Sequence, residues 1–487
     1  MEAPARFLWA LVLLTLPVTS FRYFPFLGRS TQVRPLAAYP LALLLPLLLV
    51  RLWRRRRTER LPGSLILFAF FALVVLLMTA IGALYAPPEL RGQTYWGRAL
   101  RAWVTVGLGL AFFLAALQMN RSEADLRFSL KWLFIGFALD VVWSGVQAVT
   151  FYTPLLEKRV VTLWQRAFSL RELVGSNRVS GMAYEPAWLA GQIATLYLPW
   201  LVAALLTRYP LHRRRILTVA LLLAAGGLLL LTYSRGGILV AVAASGLTIL
   251  LTGRESMARV WEWFGAAFRS GNLPLRERLW GWILRLGAVV LLLTVPVGAF
   301  LVLSQKGYFS NLWSASAESL VDYVIANYAG ARMAYAVSAA RTFLTHPWTG
   351  VGLGASGFYI YGNLPEWALT RLPEIARHLS PESHLYPNPK NIYLRLLAES
   401  GLPGFVFFAA FYLSVLGDIL TALRREEGFA RFLGVAGLCT WLAVGMHNLT
   451  QDSFATPKIW LNLGMVVGVT AAWAEARRVG AREEERS

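Results

Sequence analysis

Cysteine is nearly missing: Cys439 is the single one in 487 residues. No intrachain disulfide can form, and no set of thiolates can hold a metal. Charge is scarce as well. Only 15% of the residues are Asp, Glu, Lys or Arg, against about a quarter in soluble domains. Acids are the scarcer sign, 26 against 47 basic residues, and lysine is scarce beside arginine. The five histidines, His212, His346, His378, His384 and His447, include no pair at the spacing of a helical metal site. The N-terminus lacks the basic start and small-residue cleavage site of a signal peptide and reads as a first span. No internal repeat of the kind that marks inverted-repeat transporters is visible.

What is abundant is apolar sequence. Hydrophobic residues make up 57% of the chain, and the mean hydropathy is +0.52. Crossing about 30 Å of hydrocarbon takes roughly 20 apolar residues in a helix, which satisfies its own backbone. The runs are continuous rather than alternating, which excludes a β-barrel. About twelve such stretches occur, near 6–22, 36–52, 62–86, 99–117, 129–152, 186–207, 216–233, 237–252, 286–304, 395–420, 432–449 and 458–475. The expectation is therefore an all-α polytopic membrane protein, one membrane domain over 1–487.

The net charge of +21 could suit nucleic acid, but in such a chain it marks loops that meet anionic lipid. Basic residues follow every second span: Arg54 to Arg57, Arg121 and Arg127, Arg213 to Arg215, then Arg254, Arg259, Arg269, Arg276 and Arg278, then Arg424 and Arg425, with Arg477 and Arg478 in the tail. The positive-inside rule puts these loops and both termini in the cytoplasm. Two long loops, 153–184 and 305–390, then lie outside. The second, rich in Trp, Tyr, Pro, His and Gly, is expected to be partly helical and to cap a cavity. Tyr308, Trp313, Tyr323, Tyr328, Trp348 and Tyr359 would line that cavity or anchor the loop at the interface.

Three clusters fall on this outer side. The first runs from Arg178 to Glu185 and Pro186. The second is Ser234-Arg235-Gly236-Gly237. The third joins Arg332, the stretch His346 to Gly354, and Pro389-Lys390-Asn391 leading to Glu399-Ser400-Gly401. Guanidinium is always charged and offers phosphate a planar fork of donors, so Arg178 and Arg332 suit a diphosphate; solvated loop arginines are the plainer alternative. Arg235 lies in almost uninterrupted apolar sequence, where a cation needs a partner, a cavity, or a route to the interface. Glu185 fits either a first-turn acid or a functional carboxylate. Asn391 reads as an N-cap. Gly352-Leu353-Gly354 has no βαβ surroundings, so it is a loop whose backbone comes close to substrate or to a neighbouring helix. His384 is the histidine best placed to accept a proton near neutral pH.

Taken in order, the S-R-G-G turn, the arginine with a following H-P-x-x-G-V-G-x-G stretch, and the N-x-Y-L-x-x-L-x-E-x-G segment resemble the O-antigen ligase and O-antigen polymerase superfamily of bacterial envelope glycan assembly. The match is clearest over spans six to ten. The resemblance implies a metal-independent, inverting glycosyltransferase of the cytoplasmic membrane that needs no cofactor and works on the outer face. Its donor would be a glycan on a polyprenyl (undecaprenyl-type) diphosphate, and its acceptor a saccharide or glycolipid. The family's diphosphate-holding arginines map onto Arg178 and Arg332, with Arg235, Lys390 and Asn391 as further substrate contacts. One departure stands out: Lys390 occupies the place of the ligases' proposed basic histidine. That leaves His384 or Glu185 as the base, or no base at all. With the Gly-Met-Ala-Tyr-Glu-Pro stretch, it leans toward a polymerase over a ligase. The rival class is a flippase or transporter of lipid-linked anionic saccharide, which would put polar, broken helices at mid-membrane.

Overall fold

A computed structural model describes residues 2–23, 31–55, 61–87, 89–173, 177–266, 274–305, 307–380, 382–425 and 428–484. Arg56, Arg57 and Arg269, and the side chains of Arg55 and Tyr308, lie outside what is described.

Among the described residues the chain is all-α apart from one short hairpin, β1 (Glu89–Leu90) with β2 (Gln93–Thr94). Five helices come first: α1 (Glu2–Thr15), α2 (Ala38–Arg55), α3 (Gly63–Gly82), α4 (Tyr95–Met119) and α5 (Glu123–Tyr152). The short α6 (Lys158–Arg166) follows in the first long loop. Next, α7 (Pro186–Gln192) passes through a π turn at Ile193–Tyr197 into α8 (Leu198–Thr207). Then come α9 (Arg215–Leu231), α10 (Arg235–Thr252), α11 (Arg254–Gly265) and α12 (Leu275–Ser304). The second long loop holds α13 (Gly307–Ser314), α14 (Leu320–Ala326), α15 (Gly330–Thr345), α16 (Gly357–Ile360), α17 (Glu366–Arg371) and α18 (Pro373–Leu379). Three helices close the chain: α19 (Ile392–Leu423), α20 (Gly428–His447) and α21 (Leu461–Glu484).

Each of the twelve stretches read from hydropathy holds a helix, although in the first, 6–22, the helix ends at Thr15. Eight are long and apolar enough to cross a membrane, and α1 and α9 are shorter apolar helices. The chain is thus a multi-pass membrane protein. The span Pro186–Thr207 is the central one, with 89% of its apolar window buried, and a π turn inside a helix often marks a functional position. Aromatic rings from four elements knit the core: Phe68 and Phe71 of α3, Phe113 of α4, Phe408 and Phe411 of α19, and Trp460. By contrast, α12 buries no described side chain.

Ion pairs fasten the helix ends on the face away from the long loops: Arg6 to Asp125, Arg127 to Glu123, Arg121 to Glu475 and Arg431 to Glu255. The two long loops share the other face, where contacts join them. The link runs through the 232–235 turn: Arg178 of the first loop donates to the Tyr233 carbonyl (3.2 Å), and Arg235 donates to Asn327 Oδ1 of the second (2.8 Å).

Candidate functional site

The glycine stretch Gly350 to Gly354 is best understood from the helix it lies on. Gly401 in α19 has φ 62°, and Pro403 has no N–H to give. The helix therefore breaks, leaving carbonyls without their normal partners inside an apolar bundle, which is costly. The loop supplies them. Val351 N–H donates to Ala398 O (2.9 Å) and Gly352 N–H to Glu399 O (2.8 Å), while Leu402 N–H turns to Pro347 O (2.8 Å). Such close contact excludes side chains. A Cβ on Gly350 would lie 2.5 Å from the Glu399 carbonyl carbon, and one on Gly352 would overlap the Tyr95 hydroxyl. Gly350, Gly352 and Gly354 all have positive φ. Of the two neighbours left open for this loop, substrate or helix, the helix is the one it touches.

The same segment carries a buried polar network. Glu399 is held by Arg395 (3.0 Å) and by the Ser356 hydroxyl (2.7 Å), and Arg395 also donates to Asp452 O (2.6 Å). Asn391 caps α19 as expected, accepting from Tyr393 N–H (3.0 Å) and Leu394 N–H (3.1 Å). Lys390 takes a left-handed conformation, φ 58°, with its N–H on Asp452 Oδ2 (3.0 Å) and its side chain exposed. His346 stacks on Tyr85, ring centroids 5.0 Å apart, and so is a packing residue.

The first cluster is anchored from α5. Gln147 Oε1 accepts from Ser180 and Gly181 N–H (both 3.0 Å), and Gln147 Nε2 donates to Gly181 O (2.8 Å). Asp140 Oδ1 accepts from Met182 N–H (2.7 Å). Arg178 then donates to Thr232 O (2.9 Å, Nε) and Tyr233 O (3.2 Å, Nη2). It braces the turn that presents Arg235. Ser234 caps α10, accepting from Gly237 N–H (3.3 Å). Arg235 is the first residue of that helix, where the dipole disfavours a cation. Its guanidinium donates to Asn327 Oδ1 (2.8 Å) and to Asn327 O. Arg332 follows five residues later in the first turn of α15, exposed and with no hydrogen bond or ion pair among the described residues. Contacts and chain proximity therefore run from Arg178 through the turn to Arg235, Asn327 and Arg332.

Two further groups meet this end of the bundle. A Cβ on Gly237 would overlap the Ala190 Cβ, so the start of α10 lies against α7. On the next residue of α7, a Cβ at Gly191 would sit 2.6 Å from Lys458 Nζ and 2.7 Å from the His447 ring. Lys458 and His447 are 6% and 7% exposed. Glu185, half-buried at the start of α7, does not cap that helix with its side chain. It is the acid whose charge reaches Lys458.

The sequence reading missed Lys458 and His447. Each stands at the end of an apolar run, and the signal available was an ionisable residue at a span's edge. His384 is exposed, with no hydrogen bond or ion pair among the described residues. Among the expected lining aromatics, Tyr328 (73% exposed) and Trp348 (67%) project outward, as interface anchors would. An apolar cavity of about 370 Å³ lies between α19 and α20, lined by Tyr393, Phe408, Tyr412, Trp441 and Gly445, and the arginines are not on its wall. Among the described residues no three of His, Cys, Asp and Glu gather as metal ligands do.

Residues 219–409 match the model of a family described as O-antigen ligase. No curated protein matches the chain. The matched stretch contains Arg235, Arg332, the glycine loop and Asn391 to Gly401, whereas Arg178, Glu185, His447 and Lys458 lie outside it.

Proposed function

We propose that this chain belongs to the O-antigen ligase and polymerase superfamily and is an inverting, metal-independent glycosyltransferase. It would move a glycan from a polyprenyl diphosphate carrier to a saccharide acceptor at the outer face of the cytoplasmic membrane. The acceptor hydroxyl attacks the anomeric carbon, the bond from that carbon to the phosphate oxygen breaks, and polyprenyl diphosphate leaves with the electron pair. The hydroxyl proton passes to Glu185, the carboxylate at this end of α7; a diphosphate leaves readily, so a weak base suffices. Arg332, Arg235 and the Arg178-braced turn meet the charge that builds on the leaving group, a preorganised term that is often the largest in catalysis. Lys390 and Asn391 contact the substrate from the start of α19, and the apolar cavity beside them has the chemistry of the prenyl chain. Chain polymerisation is the form favoured, because Lys390 replaces the histidine expected of a ligase.

The observation that carries this reading is the line of contacts from Arg178 through the Tyr233 carbonyl and Arg235 to Asn327, with the exposed Arg332 five residues further along the chain. Like charges close together cost about 1 kcal/mol or more per pair in partly screened surroundings, so an anion is the natural occupant. Purified protein given an undecaprenyl-diphosphate-linked oligosaccharide should transfer or lengthen it without added metal. Arg332→Lys keeps the charge but loses the bidentate fork, and should slow transfer at least about tenfold. Transport across vesicles without bond formation, or full activity in that variant, would contradict the proposal.

A further inference from the structure

Lys458 is one of five lysines in the chain, and the bundle buries it. It stands in the turn Pro457–Ile459 before α21, 6% exposed. It makes no hydrogen bond and no ion pair within 4 Å among the described residues. A buried ammonium without hydrogen-bond acceptors is costly, and native proteins keep such groups where something else satisfies them. Beside it, His447 Nε2 is also buried without a partner. Both nitrogens face one small space. A Cβ at Gly191 would be 2.6 Å from Lys458 Nζ and 3.1 Å from His447 Nε2, so only the absence of that side chain lets the two groups approach. Glu185 is the acid whose charge acts on Lys458, and it makes no ion pair with the ammonium within 4 Å among the described residues. The start of α10, with Arg235 as its first residue, packs on Ala190 immediately next door.

We propose that Lys458, with His447 Nε2 beside it, binds a phosphate oxygen of the donor's diphosphate. The inference rests on the reading of a diphosphate-linked donor given above. A lysine supplies a compact charge with three donors, and the imidazole tautomer protonated at Nε2 supplies a fourth. A diphosphate has oxygens enough for cations from α10, α15 and the turn before α21 at once. Glu185 then balances the ammonium only partly, which keeps the site open to an anion.

The test uses the full-length protein in nanodiscs, with undecaprenyl diphosphate as the probe and undecaprenol as its uncharged control. Wild type should bind the diphosphate lipid and gain thermal stability from it, and undecaprenol should give no such gain. Lys458→Met keeps the length of the side chain and removes the charge. It should weaken binding of the diphosphate lipid about 10- to 100-fold. The ligand-free protein should melt no lower than wild type, because an uncompensated buried charge is gone. Gly191→Ala crowds Lys458 from the other side and should weaken binding in the same direction, which decides the matter if the lysine variant does not fold. Wild-type affinity in folded Lys458→Met or Gly191→Ala would overturn this inference alone. So would a defect confined to the KM of the saccharide acceptor. A wild type that does not bind undecaprenyl diphosphate at all would overturn the donor reading itself, and this inference with it.

Discussion

A single imidazole shows how finely the second long loop is tuned. His378 of α18 stacks on Tyr335 of α15, centroids 6.1 Å apart, and its Nδ1 shares a hydrogen bond with the Tyr335 hydroxyl (2.5 Å). Burial pushes the His378 pKa down. Arg377, Lys390 and Arg91 push the same way, and Glu374, 4.0 Å from Nε2, opposes them. A folded pKa below the unfolded one means that the neutral ring is the form the fold prefers. The contribution is complete above the unfolded value of about 6.5 and is lost as the pH falls through the lower folded value. Hydrogen exchange of residues 366–379 should therefore be slow at pH 7 to 8 and speed up, beyond the intrinsic change, below about pH 6. His378→Phe keeps the stack and removes the titration, so its protection should be flat across that range. An equally steep pH dependence in the variant would show that another group controls the loop. His212 makes a useful contrast at the same scale. Burial lowers its pKa as well, but it rests on Thr218 Oγ1 (3.0 Å) and Phe134, on the face away from the long loops.

Among elements, α19 explains most of what the motifs mean. Its break at Gly401 and Pro403 creates two vacant carbonyls, and the glycine loop exists to fill them. Gly352→Ala places a Cβ on the Tyr95 hydroxyl and forces an L-residue to φ +94°. Left-handed strain and overpacking together should cost about 2–5 kcal/mol, read as a lower melting temperature in detergent. A variant as stable as wild type would show that the loop is not seated as described. This element also shows what a sequence can and cannot disclose. Asn391 as a cap was legible because a cap is local: its acceptor and its donors lie within three residues. The glycines were legible as a demand for close approach, but not as to what approaches, because the partner carbonyls are set by a helix break some fifty residues later. Lys458 and His447 were illegible for a stronger reason. Each reads as the polar end of an apolar run, and only the packing of α7, through Gly191, brings them together. Arg178 was read as a ligand of phosphate. Its two described bonds to the 232–233 carbonyls also give it a bracing role, which no spacing rule could have told apart.

For the whole molecule, the placing of the arginines bears on which face looks out. Both faces are basic. The face of the long loops carries Arg91 in the hairpin, with Arg166, Arg178, Arg332, Arg341, Arg371 and Arg377 in the loops themselves, while the other face carries Arg54, Arg121, Arg213 to Arg215, Arg254, Arg424 and Arg425. A raw count therefore decides nothing. The positive-inside rule weighs short loops close to the spans, since long segments are translocated largely regardless of charge. By that weighting the turn 208–214 between α8 and α9, with Arg213 and Arg214 at its end and Arg215 opening α9, is the strongest cytoplasmic marker. Cys439 is buried at 1% exposure and should not react, so the natural chain is a near-silent background for labelling. Glu382→Cys puts a thiol on an exposed position of the second long loop, and Arg213→Cys puts one on the opposite turn. A membrane-impermeant maleimide should label Glu382→Cys in intact cells and Arg213→Cys only after the membrane is opened. The reverse pattern would turn Arg332, Arg235 and Lys458 toward the cytoplasm, away from any externally displayed glycan. The arginine line could still hold an anion there, but not the diphosphate of a donor presented from outside.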